Sequence, residues 1–320
     1  MQPSPTPPSQ SPFPQSGWPL CSPTTDINLR AQDAVARLSL QDKFLALVTN
    51  TKALNSIGLP TYNWWSEATH GISHVQYSDE LPGASNTALP ITTSCSFNRS
   101  LWHATGNQIG REGRAFQNAG QAFSTYWAPV INIVRDPRWG RNLESAGEDP
   151  FVSGQYAVNF VDGLEHAKEV PFPLQGSACC KHFVANELDG FNGTDRNHID
   201  VFVPQQDLVD SYLPSFQACV EEGKVSGIMC SYVRAWASAA QRPASVHSAL
   251  HSLAHFFAPL LVLFCAFPTP PALPSQNSVN GVPSCANDWL LGTLLREAWQ
   301  FDGVRTPNSA LWDGALPPPP

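Results

Sequence analysis

The chain has 320 residues, a mass of 34.8 kDa and a formal net charge of −8. Its length excludes a disulfide-held miniprotein and allows one barrel-sized domain of roughly 250 residues with some extra sequence. Its charge, from 18 basic and 26 acidic side chains, argues against nucleic acid as a partner, because a phosphate-binding surface would have to form against the protein's own field.

The first element in chain order is a leader. Residues 1–17 are rich in Pro, Ser and Gln, and the first twenty residues hold neither a basic residue nor an apolar run. This composition predicts a disordered segment and argues against a secretory signal peptide.

Helix and strand signals alternate from Asp26 onward. Helices are predicted where a Ser, Asn or Asp can cap the first turn, and strands where short apolar runs occur. The predicted helices cover 43–48 after a Ser39 cap, 98–119, a segment from 150, and 288–299, and the predicted strands cover 128–134, 177–184 and 226–232. The alternation indicates an α/β fold with a parallel sheet, either doubly wound or a (β/α)8 barrel.

Polar side chains at the strand ends favour the barrel. They follow the strands at 132–141, 180–182 and 230–232, and a barrel gathers such groups around one pocket. A Gly-rich phosphate loop does not follow the first strand, which disfavours a dinucleotide fold. We therefore predict a TIM-type barrel.

Cysteine and histidine spacing predicts no metal site. The eight cysteines form no C-x-x-C pair and no zinc-finger pattern with His, and the sequence leaves their pairing open. His247, His251 and His255 fall at helical spacing but have no acidic companion.

Residues 233–276 differ in composition from the rest of the chain, with only Arg234 and Arg242 charged. Their apolar stretch Leu253–Phe267 is shorter than the roughly twenty residues that a membrane helix needs, so no membrane partner is predicted. We interpret 233–276 as a foreign insert and 304–320, which ends in four prolines, as an aberrant tail.

Three long motifs carry a resemblance to a known family. They read YNWWSEATHG at 62–71, RDPRWGRNLE at 135–144 with GEDP at 147–150, and CCKHF at 179–183. In this order they resemble the N-terminal barrel of glycoside hydrolase family 3, in its β-xylosidase-like branch, over 18–303 apart from the insert.

The resemblance implies a retaining O-glycosyl hydrolase that acts on plant-wall oligosaccharides such as xylan or arabinan, with no cofactor and no metal. It also implies an extracellular location, where the sequons at Asn98 and Asn192 would be glycosylated. Each residue that it assigns to the substrate also has a structural interpretation; Arg141, for example, could simply pair with Glu144 or Glu148. The substrate-binding residues implied by the resemblance are Glu67, Arg141, Lys181, His182, Arg196 and Tyr232.

The chain departs from the family pattern at its catalytic groups. The family's nucleophile is an Asp a few residues beyond a Phe-Asp-Gly turn, but here Phe301–Gly303 is followed by VRTPNSA. The family's acid/base comes from a following domain. We therefore expect a barrel that is incomplete at its C-terminal end and a chain without catalytic residues.

Removal of 233–276 would join Tyr232 to Asn277 and restore the sequence pattern of the family at this point. This suggests that the foreign segments are translated introns. Three hypotheses remain open: a truncated glycosidase, a catalytically silent sugar-binding fragment, and a non-functional product of retained introns.

Overall fold

The computed structural model describes residues 17–22, 24–166, 174–191, 194–196, 199–232 and 278–306. The predicted insert and nearly all of the predicted leader lie outside the described residues, as do 307–320 of the predicted tail, His247, His251, His255 and the sequon residue Asn192.

The described residues alternate between strands and helices, as predicted. The α-helices are α1 (Ile27–Arg37), α2 (Leu40–Ala46), α3 (Pro90–Ser94), α4 (Arg99–Asn118), α5 (Pro150–Glu165), α6 (Gln205–Asp207) and α7 (Pro214–Glu221). Two π-helical segments cover Leu208–Tyr212 and Trp289–Ala298, and three 3-10 turns cover Pro19–Cys21, Asn142–Glu144 and Ser284–Ala286. The strands are β1 (Asn50–Thr51), β2 (Tyr62–Asn63), β3 (Thr125–Tyr126), β4 (Ser177–Phe183), β5 (Gly190–Phe191), β6 (Thr194–Asp195), β7 (Asp200–Val201), β8 (Gly227–Cys230), β9 (Ser278–Val279), β10 (Val282–Pro283) and β11 (Val304–Thr306).

The central sheet is parallel and has the strand order β11-β8-β4-β3. A parallel bridge between Glu67 and Trp127 adds one more position beside β3. Among the described residues these strands form an open four-stranded sheet and not a closed barrel. The α/β class is confirmed.

Side-chain caps start the predicted helices. Ser39 accepts a hydrogen bond from Asp42 N at 3.1 Å, Asn98 from Leu101 N at 3.2 Å, and Asp149 from Val152 N at 2.7 Å. These caps are confirmed, but the helix predicted at 43–48 covers Leu40–Ala46. Helix α1 was not predicted from the sequence, although Asp26 caps it in the same way.

One strand prediction was misplaced. The run 128–134 was expected to be a strand, but the strand is β3, at 125–126. Residues beyond it still bond to β4, through Ala128 O and Pro129 O. Because Pro129 has no N–H to donate, the ladder is broken there and continues only as a bridge from Val130 to Lys181.

The helices cover the sheet and enclose the core. Helix α5 packs between α4 and α7. At its crossing with α4, a Cβ added to Gly106 would lie 2.1 Å from Phe160 O, so the two backbones approach as closely as only glycine permits.

Two disulfides tie the sheet to its surroundings. Cys180 in β4 bonds to Cys219 in α7, and Cys230 in β8 bonds to Cys285. The peptide bonds Ala128–Pro129, Lys181–His182 and Phe183–Val184 are cis. Within the described part of the chain, every helix is too short or too polar to cross a membrane.

Candidate functional site

A cavity of about 810 Å³ opens at the carboxyl ends of β4 and β8. Five of the six predicted substrate-binding residues line it, and the sixth, His182, lies directly behind its wall. The polar strand ends are thus gathered at one place, as parallel strands require. The five lining residues are Glu67, Arg141, Lys181, Arg196 and Tyr232.

Strand β4 presents two adjacent residues to this region. In a regular strand, neighbouring side chains point to opposite faces. The pairing of β4 with β8 shifts register between Lys181 and Phe183, and such an irregularity re-aims a side chain. Lys181 therefore reaches the cavity while His182 reaches the groups behind it.

Lys181 and Glu67 form the most buried ion pair of the cavity. Lys181 is 2% exposed, and its Nζ donates to Glu67 Oε2 at 2.5 Å. Trp65 Nε1 donates to the other carboxylate oxygen, Oε1, at 3.2 Å. Each of the two carboxylate oxygens therefore accepts a hydrogen bond from the protein.

Arg141 lines the cavity and also contacts the residues behind its wall. Its Nε and Nη2 each donate to a Glu144 oxygen at 2.7 Å, and its Nη1 donates to the Tyr232 phenol at 2.6 Å. Burial is the largest single influence on Arg141 and lowers its pKa, but the bonds to Glu144 and the interactions with Tyr232 and Asp189 together outweigh it and raise the pKa of the guanidinium. Burial also opposes ionisation of Glu144, but the bond from Arg141 and the positive charges of Arg141, Lys181 and Arg196 together hold the pKa of Glu144 below its ordinary value. The pair is therefore ionised, and Arg141 both binds Glu144 and lines the cavity.

His182 is completely buried. Its ring stacks on Tyr232 with centroids 4.9 Å apart, and its Nε2 lies 3.2 Å from Arg141 Nη1. Burial first, and the nearby positive charges of Arg141, Lys181 and Arg196 second, lower the pKa of His182 well below its ordinary value. The ring is neutral and supports the wall from behind, so its contact with a sugar hydroxyl stays a prediction.

Arg196 enters from the loop after β4. It pairs with Asp189 at 3.2 Å, and its guanidinium carbon lies 5.0 Å from the centroid of the Tyr232 ring. Burial raises the pKa of Asp189, and the positive charge of Arg196 partly offsets that effect. Arg196 therefore lies with the other predicted substrate-binding residues at the cavity.

The three cations of the cavity are each matched by a carboxylate, in the pairs Lys181–Glu67, Arg141–Glu144 and Arg196–Asp189. A balanced wall of donors and acceptors suits a neutral, hydroxyl-rich ligand better than a charged one. In the described part of the chain, no three His, Cys, Asp or Glu side chains are arranged to hold a metal ion.

Several residues of this region had no role predicted from the sequence. Trp65 supports Glu67, Asp189 supports Arg196, and His70 Nδ1 lies 2.5 Å from Asn86 Oδ1 on the far side of the cavity. Trp65 and His70 stand inside a recognised motif, which could have indicated them. Asn86 and Asp189 have no such signal, because the fold alone brings them to their partners.

Of the two glycosylation sequons, only the first can be located. Asn98 is exposed at the start of α4, where its side chain caps the helix.

Two plant enzymes are among the known proteins to which this chain is similar. The chain is 39% identical to Beta-D-xylosidase 1 of Arabidopsis thaliana over 287 residues, which cover 88% of this chain and 31% of the relative. It is 36% identical to Beta-xylosidase/alpha-L-arabinofuranosidase 1 of Medicago sativa subsp. varia over 293 residues, 90% of this chain and 32% of the relative. The chain thus spans about a third of the length of the curated relatives it matches.

A solved structure is also similar to this chain. A GH3 exo-beta-xylosidase (XlnD), in complex with a xylobiose aziridine activity-based probe, superposes with a TM-score of 0.74 at 27% identity and covers 92% of this chain and 33% of that one. Residues 42–253 match the glycosyl hydrolase family 3 N terminal domain. The chain belongs to glycosyl hydrolase family 3.

Proposed function

We propose that this chain is the sugar-binding part of a retaining, exo-acting β-xylosidase-type glycoside hydrolase, which removes β-linked xylose or a similar neutral sugar from plant-wall oligosaccharides. The single observation that carries the proposal is the cavity wall of three matched ion pairs around Tyr232. The names of the relatives, β-xylosidases among them, support the substrate class.

The charged side chains of the ion pairs would form hydrogen bonds with the hydroxyl groups of a pyranose ring. Lys181 and Arg141 have donors, and Glu67 has acceptors, for vicinal hydroxyls. Hydrogen bonds to charged groups are roughly twice as strong as neutral ones, and bonds to ring hydroxyls can strengthen as the oxocarbenium-like transition state forms.

Catalysis by this chain alone is not part of the proposal. Retaining glycosidases need two carboxyl groups about 5 Å apart, one as nucleophile and one as acid/base. The carboxylates that line the cavity, Glu67 and Glu144, are both held by cations. The alternatives, a silent sugar-binding fragment and a product of retained introns, therefore stay open.

The finer domain organisation is also a proposal. We infer a (β/α)8-type barrel over 18–303, with a leader at 1–17, an insert at 233–276 and a tail at 304–320. The strand β11, Val304–Thr306, supports a sheet that continues into the proposed tail. An extracellular location is supported by the two disulfides, since such bonds persist in oxidising compartments.

Calorimetric titration with xylose tests the proposed binding. Xylose should bind the chain, and Glu67→Gln, which removes the charge paired with Lys181, should weaken binding at least tenfold. Asp136→Asn is the matched control, because Asp136 pairs with the exposed Arg138 outside the cavity.

An aryl β-xyloside assay of the same chain separates binding from catalysis. We expect no turnover; hydrolysis above the Glu67→Gln background would show that the chain has its own catalytic carboxylates. Failure of xylose to bind the wild-type chain would favour a non-functional product.

A further inference from the structure

Three contacts join Asn132, in the segment after β3, to His182 of β4. Asn132 Oδ1 accepts from His182 N at 2.7 Å, and its Nδ2 donates to His182 O at 3.0 Å. The same Oδ1 lies 3.3 Å from the ring nitrogen Nδ1 of His182. Asn132 is 2% exposed, so these contacts are sheltered from water.

The backbone contacts fix which way the Asn132 amide points. A backbone N–H only donates and a carbonyl only accepts, so the amide oxygen must face His182 N and the amide nitrogen must face His182 O. The oxygen therefore also faces Nδ1. A ring nitrogen can hydrogen-bond to an amide oxygen only by donating, so Nδ1 carries the proton.

The contacts of Nε2, at the other end of the His182 ring, indicate the same tautomer. Nε2 lies 3.2 Å from Arg141 Nη1, which can only donate. It lies 3.3 Å from the Tyr232 phenol, whose oxygen already accepts from Arg141 at 2.6 Å and from Arg196 at 3.4 Å. The phenol O–H is left to donate to Nε2, which must therefore lack a proton.

We propose that Asn132 is a positioning residue of the cavity: it holds His182 as the neutral Nδ1–H tautomer, so that Nε2 accepts from Arg141 and Tyr232 and fixes both on the wall. Asn186 Nδ2 also lies 3.3 Å from Nδ1, and this tautomer requires the Asn186 amide to turn its oxygen toward the ring. Only the role in sugar binding rests on the proposed function; the tautomer does not.

The tautomer of His182 can be measured by NMR without any ligand. In the full chain labelled with ¹⁵N-histidine, a long-range ¹H–¹⁵N correlation at pH 7 distinguishes a protonated from an unprotonated ring nitrogen, and ring-to-backbone correlations assign His182. We expect a protonated Nδ1 and an unprotonated Nε2. The reverse pattern, or two protonated nitrogens, would overturn the proposal.

Asn132→Asp tests the role of the amide. A carboxylate cannot donate to His182 O, and its negative charge beside Nδ1 favours a second ring proton. We expect Nε2 of His182 to become protonated and xylose affinity to fall at least tenfold. Ser145→Ala is the control, because Ser145 Oγ donates only to the Asn132 backbone oxygen, and its ring signals should match the wild type.

The outcomes are distinct. A folded Asn132→Asp variant with unchanged ring signals and unchanged xylose affinity would reduce Asn132 to a structural residue and overturn the proposal. If that variant does not fold, the wild-type ring measurement still decides. Failure of every protein, wild type included, to bind xylose would refute the proposed function and leave the tautomer assignment standing.

Discussion

Burial separates the ion pairs of the cavity from those of the surface. Lys181 is 2% exposed in its pair with Glu67, whereas Arg138 is 63% exposed in its pair with Asp136. An exposed pair contributes little, but breaking a buried pair leaves an uncompensated charge. We therefore expect substitutions of equal size at these two cations to differ strongly in effect.

Lys181→Ala should weaken xylose binding by roughly 10- to 100-fold, since a hydrogen bond to a charged group contributes about 1.5–3 kcal/mol. Titration calorimetry measures the change, and Arg138→Ala, which removes an exposed cation outside the cavity, should leave the affinity within about twofold of the wild type. A loss below threefold for Lys181→Ala would mean that this lysine does not contact the sugar.

The buried environment of Glu165 shifts its pKa and should make the stability of the protein depend on pH. Glu165 is completely buried, its Oε1 accepts from Ala178 N and from Ser226, and its Oε2 has no hydrogen-bond partner among the described residues. Burial raises the pKa of Glu165 to about 7, although the bonds from Ser226 and Ala178 work in the opposite direction. The folded state therefore favours the protonated carboxyl.

The sign of the pH effect follows from this pKa. The stability that comes with the protonated form is fully present below the unfolded value of about 4.5 and is lost as the pH rises through about 7. Glu165→Gln should therefore be more stable than the wild type at pH 8, by on the order of 3 kcal/mol, and little different at pH 4.5. Urea denaturation at both pH values measures this, with the exposed Glu221→Gln as control; equal differences at the two pH values would contradict it.

At the scale of elements, local sequence signals determine where a helix starts, and long-range packing determines how closely it approaches its neighbours. Asp149 starts α5 by a cap that lies next to it in sequence, but α5 can pack on α4 only because small residues face each other. Gly163 of α5 would meet His103 O at 2.1 Å if it had a Cβ.

Gly106→Ala should destabilise this crossing. The new methyl group would lie 2.1 Å from Phe160 O, a backbone atom that cannot move without shifting α5. We expect a loss of about 1–3 kcal/mol or more in the free energy of unfolding, measured by urea denaturation. Gly83→Ala is the control, because a methyl group there meets nothing within 4 Å. Equal stability of the two variants would refute the close crossing.

At the scale of the whole molecule, the cavity lies at the carboxyl ends of β4 and β8 in the central parallel sheet β11-β8-β4-β3. The described chain on both sides of the proposed insert contributes to this sheet, because β8 precedes the insert and β11, which pairs with β8, follows it. Cys230 of β8 also bonds to Cys285. The described residues that line the cavity all precede the insert, so the later segment supports the site without lining it.

Deletion of 233–276 should leave the cavity intact. The remaining flanks keep the Cys230–Cys285 disulfide, and shortening a loop changes its closure free energy by only about 0.6 kcal/mol for each halving. We expect xylose affinity within about twofold of the full chain and an unchanged or higher melting temperature. Loss of xylose binding would show that the deleted residues contribute to the site and are not an insert.

The sequence by itself determined what depends on near neighbours. The caps at Ser39, Asn98 and Asp149 and the apolar runs that form β4 and β8 lie within a few residues of the groups they organise. The motifs also indicated five residues that line the cavity. These features follow from local hydrogen bonding and periodicity, which a single sequence displays.

Only the tertiary structure decided the contacts between distant segments. Asn132 and His182 are 50 residues apart, and Glu67 and Lys181 are 114 apart. The strand at 125–126 in place of 128–134, the bulge that turns His182 behind the wall, and the pairing of Cys180 with Cys219 all depend on neighbouring strands and helices. Strand register, burial and the approach of two backbones are properties of the assembled sheet, and no local pattern specifies them.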